Sequence, residues 1–207
     1  MKGVGAVPVR RLLKPPIPPG GIALPGPKGW AAPGALAFLT RARLVGAVHV
    51  LAANELAAVE DRLVELLALA DLCAEAPSPP SPPSGPVDYP RFGDVHWIRG
   101  QETGGEDKRY VVVSHDHHNA AGNRPLVVRL TSRDKSRFED FPRLRDGSGH
   151  ACPGELFAAP TDVIVTRDRP EPSRVDFEDS VAMARAVVST HALEDAVLRA
   201  GGADLRP

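Results

Sequence analysis

Three short apolar runs, each bounded by turn-forming residues, lie between residues 91 and 132 of the 207-residue chain. They cover Val95 to Ile98, Tyr110 to Val113 and Leu126 to Leu130. β-Branched and aromatic residues fill the runs, and Gly, Asn, Asp and Pro separate them, which is typical of strands in a small antiparallel sheet or barrel. The pattern therefore predicts a β module that begins at about Asp88.

Further strands and two helices are predicted after the third run. Short strands are expected where apolar residues lie between Gly and Pro, at Phe141 to Leu144, Glu155 to Ala158 and Asp162 to Thr166. Helical spacing predicts a helix from Asp176 to Val188 and a last helix from His191 to Ala200, with Thr190 as a candidate cap.

The chain before the β module divides by composition. Residues 1–33 are rich in Pro and Gly, so we expect them to be disordered or extended. Residues 34–75 are predicted to be helical, because Ala and Leu dominate and Pro is absent from about Ala35 to Leu72. Asn54 either caps a second helix or lies inside one long helix. Residues 76–88 are a Pro/Ser-rich linker that favours an extended spacer, which leaves residues 89–207 as the main domain.

The predicted helical segment carries an apolar stripe with a spacing of three and four residues, at Leu56, Val59, Leu63, Leu66 and Ala70. We interpret the stripe as the buried face of a helical hairpin that packs on itself or on the β module. A partner-binding or dimerising helix is the alternative interpretation.

Three motifs of the β module occur in an order found in a known family. The first is Arg91-Phe92-Gly93-Asp94-Val95 with Trp97, and the second runs from Lys108 to Ser114, followed by Asp116 and Asn119. The third is the strand that ends in Thr131-Ser132. In order and spacing this stretch resembles the MazF/PemK family of toxin endoribonucleases.

The resemblance implies a fold and an activity. The implied fold is α+β, a small SH3-like antiparallel β-barrel with C-terminal helices. The implied protein is the cytoplasmic toxin of a type II toxin–antitoxin system, a metal-independent endoribonuclease that cleaves single-stranded RNA. It would act as a homodimer without a cofactor, and a cognate antitoxin protein would inhibit it.

Metal-independent RNA cleavage needs a base for the 2′-hydroxyl, an acid for the departing 5′-oxygen and positive charge near the phosphorus. The resemblance implies that an Arg before the second strand and the Thr that ends the third act on the scissile phosphate. The Thr corresponds to Thr131. Direct counting places Lys108 at the family's Arg, but a shift of one residue would place Arg109 there, and we favour Arg109 because guanidinium binds phosphate through two hydrogen bonds.

The general base and the RNA-binding residues are less defined. Glu102 matches the Glu of the family's loop, and His117 or His118 is the alternative base, because imidazole titrates near neutral pH. Residues 124–145 contain seven Lys or Arg residues and three Asp or Glu residues, a local charge of +4. We expect RNA to contact Ser132, Arg133, Lys135 and Arg137, which follow Thr131 in sequence, and also His117 of the histidine cluster.

The remaining features exclude several other classes. The net charge of −1 and the two separated cysteines do not indicate a basic nucleic-acid protein, a cysteine zinc site or a disulfide framework. Charged residues interrupt the apolar stretch 34–53, so no membrane span is expected, and no signal peptide is predicted. His115 and His117 lack the downstream Asp-His of a hydrolase zinc site, so we expect no metal.

Arg124-Pro125 mimics the family's Arg-Pro, but the Ser-x-Asp-x-x-Asn tail follows Val113 instead, so we do not assign Arg124 a role. Three features favour a second interpretation: Lys108-Arg109 replaces the Arg-Pro, the net charge is close to neutral, and a helical segment precedes the β module. A catalytically inactive barrel that binds a protein, as gyrase-poisoning toxins of the same fold do, is therefore the alternative.

Overall fold

The computed structural model describes residues 3–6, 9–10, 22–24, 29–35, 37–40, 51–78, 88–99, 106–138, 140–165 and 173–205. The helices are α1 Ala53–Leu66, α2 Leu69–Leu72, α3 Asp116–Ala120, α4 Phe177–His191 and α5 Glu194–Arg199. The strands are β1 Gly3–Ala6, β2 Val9–Arg10, β3 Ile22–Leu24, β4 Gly29–Ala31, β5 Ala37–Thr40, β6 Asp94–Ile98, β7 Lys108–Val112, β8 Leu126–Thr131, β9 His150–Ala158, β10 Ile164–Val165 and β11 Ser173–Arg174. The predicted α+β class is confirmed.

The main sheet is antiparallel, with strand order β10-β6-β7-β8-β9, and β11 also pairs with β6. Its centre is the predicted set of three strands, in which Val111 of β7 lies opposite Val95 and Val128. Within the described residues, β9 and β10 end the order and do not pair with each other, so the sheet is not closed into the expected SH3-like barrel.

Each face of the sheet has its own hydrophobic cluster, because successive side chains of a strand point to opposite faces. The larger cluster joins alternate residues of β7, β8 and β9, including Val111, Val128 and Leu156, to the helices. Tyr110, Val112 and Val127 belong to the smaller cluster on the second face. This alternation decides which polar side chains can meet at the ends of the strands.

The N-terminal helices are part of the larger cluster. Val64, Leu67 and Leu72 pack with Val111, Leu126 and residues of α4 in one buried core. Of the predicted stripe, Leu66 is buried in this core, as expected for packing on the β module. Val59 is buried instead against Leu24 and Ala31 of the N-terminal strands, and Leu56 is 48% exposed. Of the proline-rich linker, residues 79–87 lie outside the described part of the chain.

Several predicted boundaries were wrong. The predicted helix from residue 34 is replaced near its start by β5, because Ala37–Thr40 has a pairing partner in β1. Of the two alternatives for Asn54, the structure shows the position inside a helix, since α1 begins at Ala53. Thr190 lies inside α4, which continues to His191, where Ala192 with φ of 54° ends it.

Two predicted strands are shorter than expected. The stretch from Phe141 to Leu144 contributes a single bridge, between Arg143 and His150. The stretch from Asp162 to Thr166 forms a 3-10 turn and then the two-residue strand β10. Among residues 1–33, those described form β1 to β4, so the chain there is extended in short strands. No helix within the described ranges combines the length and the apolar character that crossing a membrane requires.

Candidate functional site

The candidate site lies where three strands of the main sheet meet. β7 begins at Lys108 and β8 ends at Thr131, so antiparallel pairing brings these residues to the same end of the sheet. β9 begins at His150, which lies directly opposite Thr131 in the ladder. The sequence predicted this convergence for Lys108, Arg109 and Thr131 but not for His150.

The register distinguishes the two candidate cations. Tyr110 lies opposite Arg129, so both side chains point to the second face of the sheet. Lys108 lies two residues before Tyr110, and Thr131 lies two residues after Arg129, so both share that face. Arg109, one residue from Tyr110, points to the opposite face. The register therefore favours Lys108 over Arg109 as the cation on the side of Thr131.

Arg109 has a structural contact near the same end of the sheet. Its Nη2 donates to the carbonyl oxygen of Ser148 at 2.7 Å. Ser148 precedes Gly149 and His150, so the guanidinium holds the turn that leads into β9. Arg109 therefore lies beside the site. Its Nη2, however, is already used in the hydrogen bond to Ser148 and is not available to bind a phosphate at the same time.

The Thr131 side chain is 7% exposed, and its Oγ1 accepts a hydrogen bond from the Arg133 backbone N–H at 3.2 Å. Gly149 packs tightly against the backbone of Thr131. A Cβ at Gly149 would lie 2.1 Å from the Thr131 carbonyl oxygen, and the φ of Gly149 is +144°. Only glycine fits this position, which keeps β8 and β9 in register at the site.

His150 is the residue that sequence reasoning missed. The residue is 5% exposed, and neither ring nitrogen has a hydrogen-bond partner in the described part of the chain. The nearest carboxylate oxygen, Oδ1 of Asp134, lies 4.0 Å from Nε2. Because buried polar groups without partners are costly, such a group points to a function. The only sequence signal was its place after the turn at Gly147 to Gly149.

Asp134 is ionised at neutral pH. Ser136 N donates to its Oδ1 at 2.9 Å, and this hydrogen bond lowers the pKa of the Asp134 carboxyl below its ordinary value. A negative carboxylate therefore lies beside the His150 imidazole.

The basic segment predicted to bind RNA follows Thr131 directly. Ser132, Arg133 and Arg137 are exposed, and Lys135 is half-buried. Lys135 Nζ lies 5.6 Å from the ring centroid of Phe138, and Arg137 Cζ lies 5.7 Å from it. Four of the five predicted RNA-binding residues are thus on one loop beside the site.

The fifth, His117, lies elsewhere. It is an exposed residue of α3, which follows the far end of β7. His118 is buried at that same end, where its Nε2 lies 3.0 Å from the Arg124 carbonyl oxygen, and burial lowers its pKa. Neither histidine is brought near Thr131, whereas Glu102 lies outside the described residues.

The Ser-x-Asp-x-x-Asn motif has a structural role. Ser114 Oγ donates to Asn119 Oδ1 at 2.5 Å and accepts from Leu126 N at 3.0 Å. Asn119 Nδ2 donates to the Pro90 carbonyl at 2.9 Å, and Asp116 accepts from Phe92 N at 2.6 Å. The motif therefore ties the start of β6 to the turn between β7 and β8.

The Asp of the first motif is also structural. Asp94 is 2% exposed and accepts hydrogen bonds from Arg91 N at 2.9 Å and from Arg174 Nε at 2.8 Å. These bonds tie β6 to β11, so this part of the resemblance serves the fold rather than the chemistry.

The described residues contain no group of three or more His, Cys, Asp or Glu side chains arranged to hold a metal. Both cysteines are free and buried, and burial raises the pKa of Cys73 and of Cys152 to about 11. Comparison of the chain with protein-family models, with curated proteins and with solved structures gave no match.

Proposed function

We propose that this protein is a metal-independent endoribonuclease of the MazF/PemK type that cleaves single-stranded RNA. The observation that carries the proposal is the position of Lys108, Thr131 and His150 on one face at one end of the main sheet. A loop with exposed basic side chains follows Thr131 directly and supports the proposal. The proposal extends to the implied context, a cytoplasmic toxin that forms a homodimer and is bound by a cognate antitoxin.

The three side chains have complementary chemistry. The 2′-hydroxyl of the RNA attacks phosphorus while it loses its proton, and the 5′-oxygen leaves with a proton, which gives a 2′,3′-cyclic phosphate. In the proposal the His150 imidazole takes the proton of the 2′-hydroxyl, and the resulting imidazolium gives that proton to the departing 5′-oxygen, since imidazole is suited to proton transfer near neutral pH. The Lys108 ammonium stabilises the charge on the phosphoryl oxygens, and the Thr131 hydroxyl donates a hydrogen bond to one of them.

The test is cleavage of a mixed-sequence RNA by the purified full chain in EDTA, with sequencing of the RNA ends. We expect Thr131→Ala and Lys108→Ala to reduce the cleavage rate by roughly 100-fold or more. Arg124→Ala is the matched control, because Arg124 is an exposed cation at the far end of the sheet. Unchanged cleavage by Thr131→Ala would reject this site.

One observation favours a second function. Thr131 and His150 are only 7% and 5% exposed, so a phosphate reaches them only after neighbouring side chains move. A non-catalytic module that binds a protein does not need access to these groups. Expression with and without a candidate antitoxin separates the two functions, because growth arrest with intact RNA would support the binding module.

A further inference from the structure

An exposed aromatic side chain, Phe138, lies on the loop between β8 and β9. It is 47% exposed, and the other large apolar side chains with this degree of exposure in the described residues are Leu56 and Leu198. Those two leucines lie on α1 and α5, whereas Phe138 lies seven residues after Thr131. An aromatic ring at this position requires an explanation that scattered surface leucines do not.

Phe138 belongs to a cluster of two rings and two cations, which we call the aromatic-basic cluster: Lys135, Arg137, Phe138 and Phe141. The ring centroids of Phe138 and Phe141 are 5.7 Å apart with an interplanar angle of 53°. Lys135 Nζ lies 5.6 Å and 5.4 Å from the two centroids, and Arg137 Cζ lies 5.7 Å from that of Phe138. The cluster thus combines an open ring with positive charge.

The backbone holds the cluster in place. Phe138 N donates to the Lys135 carbonyl at 2.8 Å, and Phe141 N donates to the Phe138 carbonyl at 3.2 Å. Two successive turns therefore set the spacing of the rings before any ligand binds. Such preorganisation lowers the entropic cost of binding.

The cluster lies on the side of the candidate site. Burial raises the pKa of Cys152 to about 11, and the positive charge of Lys135 is among the nearby charges that oppose this shift. Cys152 lies opposite Arg129 on the second face of the sheet, which is also the face of Thr131. Asp134, which is next to Lys135, faces His150. The loop that carries the cluster therefore begins at the candidate site, where Thr131 ends β8 and Asp134 faces His150.

We propose that the aromatic-basic cluster binds an unpaired base of single-stranded RNA, with the base stacked on Phe138 and the flanking phosphates next to Lys135 and Arg137. This inference rests on the proposed function and adds a binding position to it. Aromatic rings with nearby cations are suited to single strands, because every base has a π-face and every nucleotide carries a negative phosphate. A duplex buries its base faces and cannot stack in this way.

The experiment measures binding of short fluorescein-labelled 2′-O-methyl oligonucleotides to the full chain by anisotropy. These probes lack a free 2′-hydroxyl, so binding is measured without cleavage. Phe138→Ala is expected to weaken single-strand binding by roughly tenfold or more, as loss of a stacked base does. Phe138→Leu is expected to weaken it as much, and Phe138→Trp is expected to retain it with quenched tryptophan fluorescence.

Matched variants separate stacking from other effects. Leu56→Ala and Leu198→Ala remove equally exposed apolar side chains from helices and should not change binding. Lys135→Gln is expected to reduce the salt dependence of binding by the equivalent of about one phosphate contact, whereas Phe138→Ala leaves that dependence unchanged. Thermal unfolding by circular dichroism should be the same for Phe138→Ala and the parent chain.

The outcomes separate this inference from the proposed function. Loss of binding in Phe138→Ala supports the stacking site even if the parent chain cleaves no RNA in EDTA. Equal binding by Phe138→Ala and the parent chain, or no preference for single strands over the matching duplex, overturns the stacking site even if cleavage is observed.

Discussion

At the scale of single residues, the sequence predicted Thr131 and the two candidate cations, but geometry decided between the cations. Lys108 and Arg109 are adjacent in sequence, so alternation sends them to opposite faces of the sheet. Which one faces Thr131 depends on the pairing of Tyr110 with Arg129, and counting along one strand cannot give this register. His150 could not be predicted, because its lack of hydrogen-bond partners is a property of its surroundings rather than of its neighbours in sequence.

Gly149 provides a residue-scale prediction about the site. Gly149→Ala is expected to destabilise the protein by about 3 kcal/mol or more, since the added Cβ would lie 2.1 Å from the Thr131 carbonyl oxygen. Gly147→Ala is the control, because Gly147 also has a positive φ, 74°, but has no atom within 4 Å of the added Cβ. It should cost about 1–2 kcal/mol. Urea unfolding measures the loss of stability in both variants, and equal losses would contradict a tight contact between Gly149 and the Thr131 carbonyl.

At the scale of elements, the strands and α4 were predictable because their patterns are local. β6, β7 and β8 agree with the three apolar runs, and α4 begins one residue after the predicted start. β5 was missed because its partner, β1, lies more than thirty residues away in sequence. The short helix α3 was not predicted; it begins after His115, whose Nδ1 accepts a hydrogen bond from His117 N.

The network around α3 gives an element-scale prediction. Asn119→Ala is expected to destabilise the protein by about 3 kcal/mol, because it removes three hydrogen bonds, to Pro90 and Ser114, and leaves the buried Ser114 hydroxyl without its acceptor. Asn123→Ala removes a single bond to the His118 carbonyl and should cost about 1 kcal/mol or less. Thermal unfolding distinguishes them. A small effect at Asn119 would show that this motif does not hold β6 against the turn.

At the scale of the whole molecule, buried histidines predict how stability depends on pH. Burial lowers the pKa of His96, His118 and His191 below the ordinary value of 6.5. The unfolded chain therefore binds protons that the folded chain does not, so stability is full above the unfolded pKa and falls as the pH drops through it towards the folded values.

His118 is the test residue for this pH dependence. Chemical unfolding from about pH 8 to about pH 5 should show less loss of stability in His118→Gln than in the parent chain. Glutamine cannot take up a proton, and its amide can donate to the Arg124 carbonyl that His118 contacts. His117→Gln, which changes an exposed histidine, serves as the control. The same loss in His118→Gln as in the parent chain would exclude His118 as a source of the dependence.

The packing of α1 and α2 against the main sheet is also a property of the whole molecule. The proline-rich linker predicted a separation between the helical segment and the β module, but linker composition does not report whether the flanking segments pack together. Val64, Leu67 and Leu72 in fact share one core with the sheet and α4. The β module therefore depends on residues that precede the linker, and the sequence of the module alone cannot show this.

This dependence has a measurable consequence. Leu67 is 1% exposed, so Leu67→Ala should lower the free energy of unfolding by about 2–5 kcal/mol. Leu56→Ala, at a position 48% exposed, should change it by no more than about 0.5 kcal/mol.

A fragment of residues 88–207 should show no cooperative unfolding transition, because it lacks the helices that cover Val111 and Leu126. Cooperative unfolding of that fragment, with the midpoint of the full chain, would mean that the sheet and the C-terminal helices form a core without α1 and α2.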